Sequence, residues 1–196
     1  MLDSIIQFDQ QLLVYLHSFG SETWDPFWLY ITKQLNWWPF FLILLYLLYK
    51  KLGWKQLGLL IVVLALFFTF TDQMTNVFKN SFQRLRPLNE PAIEGMVRVL
   101  KNTKSFSFFS GHASNSTGAM VILFAVLRKY YKYAWIIFFF PLLFAYTRIY
   151  LALHYPGDIL CGFIFGGLSG FLFFKLFKYF NKRFNLTDKQ NKNAFE

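Results

Sequence analysis

The sequence predicts an all-α integral membrane bundle, with about five transmembrane helices and an N-terminal amphipathic or partly inserted helix beside them. Three observations carry this. Hydrophobic residues fill 56% of the 196 positions and aromatics 22%, while only 15% are charged; a soluble domain carries about a quarter. The charges fall between long apolar runs. Trp24, Trp28, Trp37, Trp38 and Trp54 stand near the ends of those runs, where an interfacial belt would hold them.

Residues 1–19 lack the basic start and unbroken apolar core of a cleaved signal peptide, because Asp3, Gln7, Asp9, Gln10 and Gln11 interrupt them. Ile5, Ile6, Phe8, Leu12, Leu13 and Leu16 recur at helical spacing, which reads as a helix lying at the interface or partly inserted. A crossing helix needs roughly 20 mostly apolar residues, and five stretches qualify: 24–49, 54–78, 111–127, 133–153 and 159–177. The first is the most polar, with Asp25, Lys33, Gln34 and Asn36 in its opening half. Residues 181–196 are polar and read as a solvated end. No linker or repeat divides the chain, so positions 1–196 are expected to form one domain with its core at 54–177.

Much of the net charge of +10 lies beside apolar runs, at Lys50, Lys51 and Lys55, at Arg128, Lys129 and Lys132, and from Lys175 onward. That side is expected to be cytoplasmic, facing anionic lipid, in a multi-pass inner (plasma) membrane protein. The opposite ends would face the periplasm or exterior. Basic residues interleaved with base-reading side chains are missing, which excludes nucleic acid as a partner. Cys161 is the only cysteine, so neither an internal disulfide nor a thiolate cage is possible. His17, His112 and His154 are too scattered to predict a metal site.

Polar groups near membrane depth are costly and therefore functional candidates. Three clusters fall at span ends on the outer side. The first runs from Lys79 to Arg86-Pro87; a seven-residue spacing puts Lys79 and Arg86 on one face if the helix continues, and Pro87 starts a loop. The second, Ser110-Gly111-His112, opens an apolar helix, where free amides attract anions and Gly111 permits close approach. Ser110 could add a hydroxyl there or simply cap the helix. The third holds Thr147, Arg148, His154 and Asp158, with Pro156-Gly157 as a turn that leaves Asp158 to open the next helix and accept from the His154 ring. Separately, each cluster reads as an anchor or a cap. Together they place three cations, two histidines and a carboxylate on one face, an inventory suited to a phosphoryl group.

These residues resemble the signature of the type 2 phosphatidic acid phosphatase superfamily. Lys79, six residues, then Arg86-Pro87 matches its first part. Ser110-Gly111-His112 matches the second, with Phe109 where the family has proline; Arg148, His154 and Asp158 match the third, with Thr147 where it has serine. The resemblance covers residues 54–177. It implies an enzyme in which His154 attacks phosphorus to give a phosphohistidine, Asp158 orients its imidazole, and His112 protonates the leaving oxygen. Lys79, Arg86, Ser110, Gly111 and Arg148 would bind the phosphate oxygens, and Arg84 would be ancillary, meeting headgroup phosphate. No cofactor or metal is implied, since a cation cluster can stabilise phosphoryl transfer. The partners expected are a lipid phosphate and the bilayer. Undecaprenyl diphosphate is the first substrate expected, with phosphatidylglycerol phosphate, phosphatidic acid and lipid A phosphates as alternatives. Other readings are a vanadium-dependent haloperoxidase, which would be soluble, and a non-enzymatic lipid-binding or transport protein with a relict anion site.

Overall fold

The computed structural model describes residues 2–186; positions 187–196 of the expected polar end lie outside them. Among the described residues every regular element is helical. In order these are α1 (Leu2–His17), α2 (Asp25–Ile31), α3 (Trp38–Phe82), α4 (Gly111–Leu127), α5 (Phe139–Tyr150) and α6 (Pro156–Arg183), with short 3-10 turns between some of them.

The span expected at 24–49 does not form. Pro26 opens α2, and the polar run from Lys33 to Asn36 ends it in a 3-10 turn. Side chains then take the carbonyls that a continuing helix would use: Asn36 Nδ2 donates to Tyr30 O at 2.6 Å and Trp37 Nε1 to Ile31 O at 2.7 Å. Pro39 restarts the helix as α3. Its two limbs meet at Gly53, whose φ of 68° belongs to glycine, in the Lys50–Lys55 stretch. The second limb outruns the expected boundary at 78 and stops at Phe82, where Gln83 turns left-handed at φ 48°. Lys79 and Arg86 therefore do not share a helix face, because Arg86 lies in extended backbone before Pro87. The span expected at 133–153 opens as a 3-10 turn over Ala134–Phe138. The polar end also begins later than 181, because Asn181 is buried within α6 and accepts from Gln56 Nε2 at 2.9 Å.

Two stretches, Gln34–Ile93 and Pro156–Arg183, are long and apolar enough to cross a membrane, and Gly111–Leu127 and Ala134–Tyr150 are shorter apolar helices. Large apolar side chains such as Ile61, Leu66, Ile164 and Leu168 face outward, as lipid contact requires. The core lies between both limbs of α3, α4, α5 and α6. Helix α4 meets α6 almost backbone to backbone: a Cβ on Gly162 would lie 2.6 Å from Ser110 O, on Gly166 2.3 Å from Ser114 O, and on Gly170 2.5 Å from Gly118 O. Small residues at four-residue spacing allow this approach. It fixes the N-terminus of α4 against that of α6. Helix α1 buries Leu13 and His17 against the C-terminal end of α5 and the N-terminal end of α6.

Candidate active site

The turn between α5 and α6 sets the central histidine. Ala152 adopts a left-handed φ of 49°, and Leu153 N and His154 N both return to Arg148 O, at 2.9 and 3.3 Å. His154 is thereby buried at 1% exposure. Asp158, wholly buried in the first turn of α6, accepts from Tyr155 N at 3.0 Å through Oδ2. The same oxygen accepts from Ser107 Oγ and faces His154 Nδ1 at 3.5 Å. On the other side of the ring, Nε2 faces Arg86 Nη1 at 3.4 Å. The imidazole thus presents Nδ1 to a carboxylate and Nε2 to a cation. Burial pulls its pKa down to about 4, opposed by the Asp158 hydrogen bond and reinforced by Arg86. Near neutral pH the ring is therefore neutral, the form with a free lone pair.

Arg86 is held rather than free: Nε donates to Ser105 O at 2.8 Å, Nη2 to Ser105 Oγ at 2.9 Å, and Nη1 to Leu153 O at 2.8 Å. Arg148, 3% exposed, donates from Nη2 to Thr32 O at 3.1 Å, while its Nε is buried without a protein partner. A buried guanidinium nitrogen of this kind is a donor suited to an anionic oxygen. Lys79, Gly111 and His112 line a cavity of about 190 Å³. The His112 ring lies 5.5 Å from Phe144, the ring over which Arg148 sits at 5.1 Å. His112 is also within electrostatic reach of Arg148, His154, Lys79 and Arg86. Ser110 is buried; its Oγ accepts from Ala113 N at 3.3 Å, capping α4, and its backbone N donates to Asp158 O at 3.1 Å. A side chain at Gly111 would press on Thr75 Cγ2 at 3.1 Å. All eight residues expected from the sequence therefore meet at one end of the bundle, with the Ser110 hydroxyl serving as a cap.

Arg84 departs from expectation. Its guanidinium is committed to carboxylates, donating from Nη1 to Asp158 Oδ1 at 2.7 Å and from Nη2 to Asp9 Oδ2 at 2.8 Å, and it stacks 3.8 Å over the Tyr155 ring. Asp9 Oδ1 in turn accepts from Gly157 N at 2.8 Å. The brace Asp9–Arg84–Asp158–His154 runs from the first helix into the site. Asp9, Ser105, Ser107 and Thr32 belong to the site's support, and no local motif marks them. The two departures from the family signature are also explained. Phe109 packs between Phe78 and Phe165, at 5.3 and 4.9 Å. Thr147 Oγ1 donates to Phe144 O at 2.6 Å and accepts from Thr32 Oγ1 at 3.1 Å, so its hydroxyl ties α5 to the end of α2.

The profile of the PAP2 superfamily matches residues 54–182. A lipid A 4'-phosphatase of Bacteroides thetaiotaomicron is 37% identical over 89% of this chain and 79% of its own length. An undecaprenyl-diphosphatase of Bacillus subtilis is 39% identical, but over only 39% of this chain and 38% of its own. The crystal structure of a transmembrane PAP2-type phosphatidylglycerolphosphate phosphatase from Bacillus subtilis superposes with a TM-score of 0.67 at 21% identity, covering 92% of this chain and 87% of that one. The fold, the cation-flanked histidine and these matches lead to one conclusion: the chain is a membrane protein of the PAP2 superfamily of phosphatases.

Proposed function

We propose that the chain removes a phosphate from a glycolipid of the lipid A type at the outer face of the inner membrane. The observation that carries the chemistry is the His154 ring, oriented by Asp158 at Nδ1 and facing Arg86 at Nε2. In this reading Nε2 attacks phosphorus while Lys79, Arg86, Arg148 and the Gly111 amide hold the phosphate oxygens. The bond from phosphorus to the lipid oxygen breaks, and protonated His112 gives that oxygen its proton. Neutral His112 then takes a proton from water, which attacks the phosphohistidine, releases phosphate and restores both rings. Asp158 stabilises the developing imidazolium as a triad carboxylate does. The cation-rich donor set supports a metal-free reaction.

For the substrate, similarity along most of the chain to a protein named as a lipid A 4'-phosphatase supports a glycolipid phosphate. A second reading, undecaprenyl diphosphate, draws support from the shorter Bacillus match and from an undecaprenyl-diphosphatase of Sulfolobus acidocaldarius, 27% identical over 82% of this chain. The test is phosphate release by the purified full chain in detergent with EDTA, on lipid A, undecaprenyl diphosphate, phosphatidylglycerol phosphate and phosphatidic acid. Lipid A should give the highest kcat/KM, with loss of the 4'-phosphate seen by mass spectrometry. A higher value on undecaprenyl diphosphate would install the second reading. Activity abolished by EDTA and restored by magnesium would overturn the metal-free mechanism.

A further inference from the structure

Asp72 is a carboxylate in the second limb of α3, within a stretch apolar enough to cross a membrane. There an ionised side chain is retained only for a purpose. It stands seven residues before Lys79, on the same helix face and about 10 Å further into the span. Asn115, one turn beyond His112 on α4, donates from Nδ2 to Asp72 Oδ1 at 2.7 Å. The Thr71 hydroxyl lies against Asn115 Oδ1 and also reaches Phe67 O and Phe68 O, at 2.9 and 3.1 Å. Asp72, Asn115, Lys79 and His112 line one cavity, walled on its apolar side by Phe41 and Phe68.

A carboxylate has two oxygens and about four lone-pair sites, and Asn115 Nδ2 uses one of them. Asp72 is exposed where it lines the cavity, so its carboxylate keeps acceptor capacity for a donor on a ligand. The matching group on a ligand is a hydroxyl or an amide N–H on the part of the lipid that enters the cavity beside the phosphate. A polyprenyl tail offers no such group, whereas an acylated amino sugar offers several. We propose that Asp72 and Asn115 form a specificity subsite that reads a hydrogen-bond donor on the lipid, selecting glycolipid or amide-bearing phosphates over polyprenyl and diacylglycerol ones. The inference rests on the lipid phosphatase reading and sharpens its substrate class.

Ceramide 1-phosphate and phosphatidic acid are a suitable pair of probes: both are two-chain phosphomonoesters, and only the first carries an amide N–H and a hydroxyl. Asp72→Asn keeps the shape and removes the charge, and Asn115→Leu removes its amide partner; thermal unfolding in detergent checks that each variant is folded. In both variants the ratio of kcat/KM for ceramide 1-phosphate to that for phosphatidic acid should fall about tenfold, through KM, as expected for a lost hydrogen bond to a charged group. Asp72 is also within electrostatic reach of Lys79. If it served only to hold that lysine, both substrates would weaken together and the ratio would stand still, which overturns the proposal. An unchanged ratio with unchanged rates overturns it equally, as does a wild-type enzyme that refuses both lipids while cleaving undecaprenyl diphosphate. Wild-type inactivity on lipid A alone would remove the assignment made under Proposed function, and the ratio would still test the subsite.

Discussion

Gly166→Ala adds one methyl group at the closest point between α4 and α6. In an open helix position this change stabilises by about 1 kcal/mol, because alanine is the better helix former. Here the new Cβ would lie 2.3 Å from Ser114 O and 2.9 Å from Ser114 Cα. Both are backbone atoms that cannot rotate away, so the helices must part by about 1 Å to reach ordinary van der Waals separation. Overpacking of this kind costs about 1–3 kcal/mol, which lowers the melting temperature of a chain this size by roughly 2–12 °C. The same displacement carries His112, at the head of α4, away from His154 and Asp158 at the head of α6. A shift of about 1 Å between catalytic groups can cost on the order of 100-fold in rate. Gly167→Ala is the control, since its Cβ would meet nothing within 4 Å; it should unfold at or above the wild-type temperature with wild-type kcat. The assays are differential scanning fluorimetry and steady-state phosphate release in detergent. A Gly166→Ala protein that matches wild type in both would refute the idea that backbone contact between α4 and α6 sets the site.

Three further outcomes follow from the site. His154→Ala should trap no phosphoenzyme on any substrate, whereas His112→Ala should lose far more activity on a lipid alkoxide ester than on p-nitrophenyl phosphate, whose leaving group needs almost no proton; equal losses on both esters would reverse the roles. Arg84→Gln unmasks the Asp158 charge beside His154 and so raises the imidazole pKa from about 4; since only the neutral ring attacks, the acid limb of kcat/KM should move to higher pH, and an unmoved limb counts against the brace. Asn102→Cys, on the exposed loop before α4, should react with an impermeant thiol reagent in cells whose outer membrane alone is permeabilised, and reaction only after inner-membrane lysis would invert the proposed topology.

The chemistry was more legible in the sequence than the scaffold. Lys79, Arg86, His112, Arg148, His154 and Asp158 announce themselves because ionisable groups are expensive beside apolar spans, and their spacings match a known signature. The support does not, because Asp9 meets Gly157 across 148 positions and Ser107 meets Asp158 across 51; no periodicity encodes such contacts. Arg84 reads from the sequence only as ancillary, and its two carboxylate partners, Asp9 and Asp158, lie 75 and 74 positions away. Hydropathy alone joined 24–49 into one span, although Pro26, the polar run from Lys33 to Asn36, and Pro39 break the helix. Gly162, Gly166 and Gly170 passed unnoticed because a reading by hydropathy gives glycine little weight, while their effect lies in the close approach they allow.

The brace from Asp9 has a bearing on how the enzyme comes into being. Helix α1 leaves the ribosome well before α6, yet Asp9 and Gly157 must meet before the Asp158 carboxylate is fully secured. Synthesis proceeds at about 5–20 residues per second, so a growing chain spends most of its time with its first helix waiting for a partner not yet made. A chain that lacks α6 carries Arg86 and Arg148 but has no Asp158 beside His154. The contact that links the two ends of the fold is thus among the last to form in chain order, after every other helix has been made.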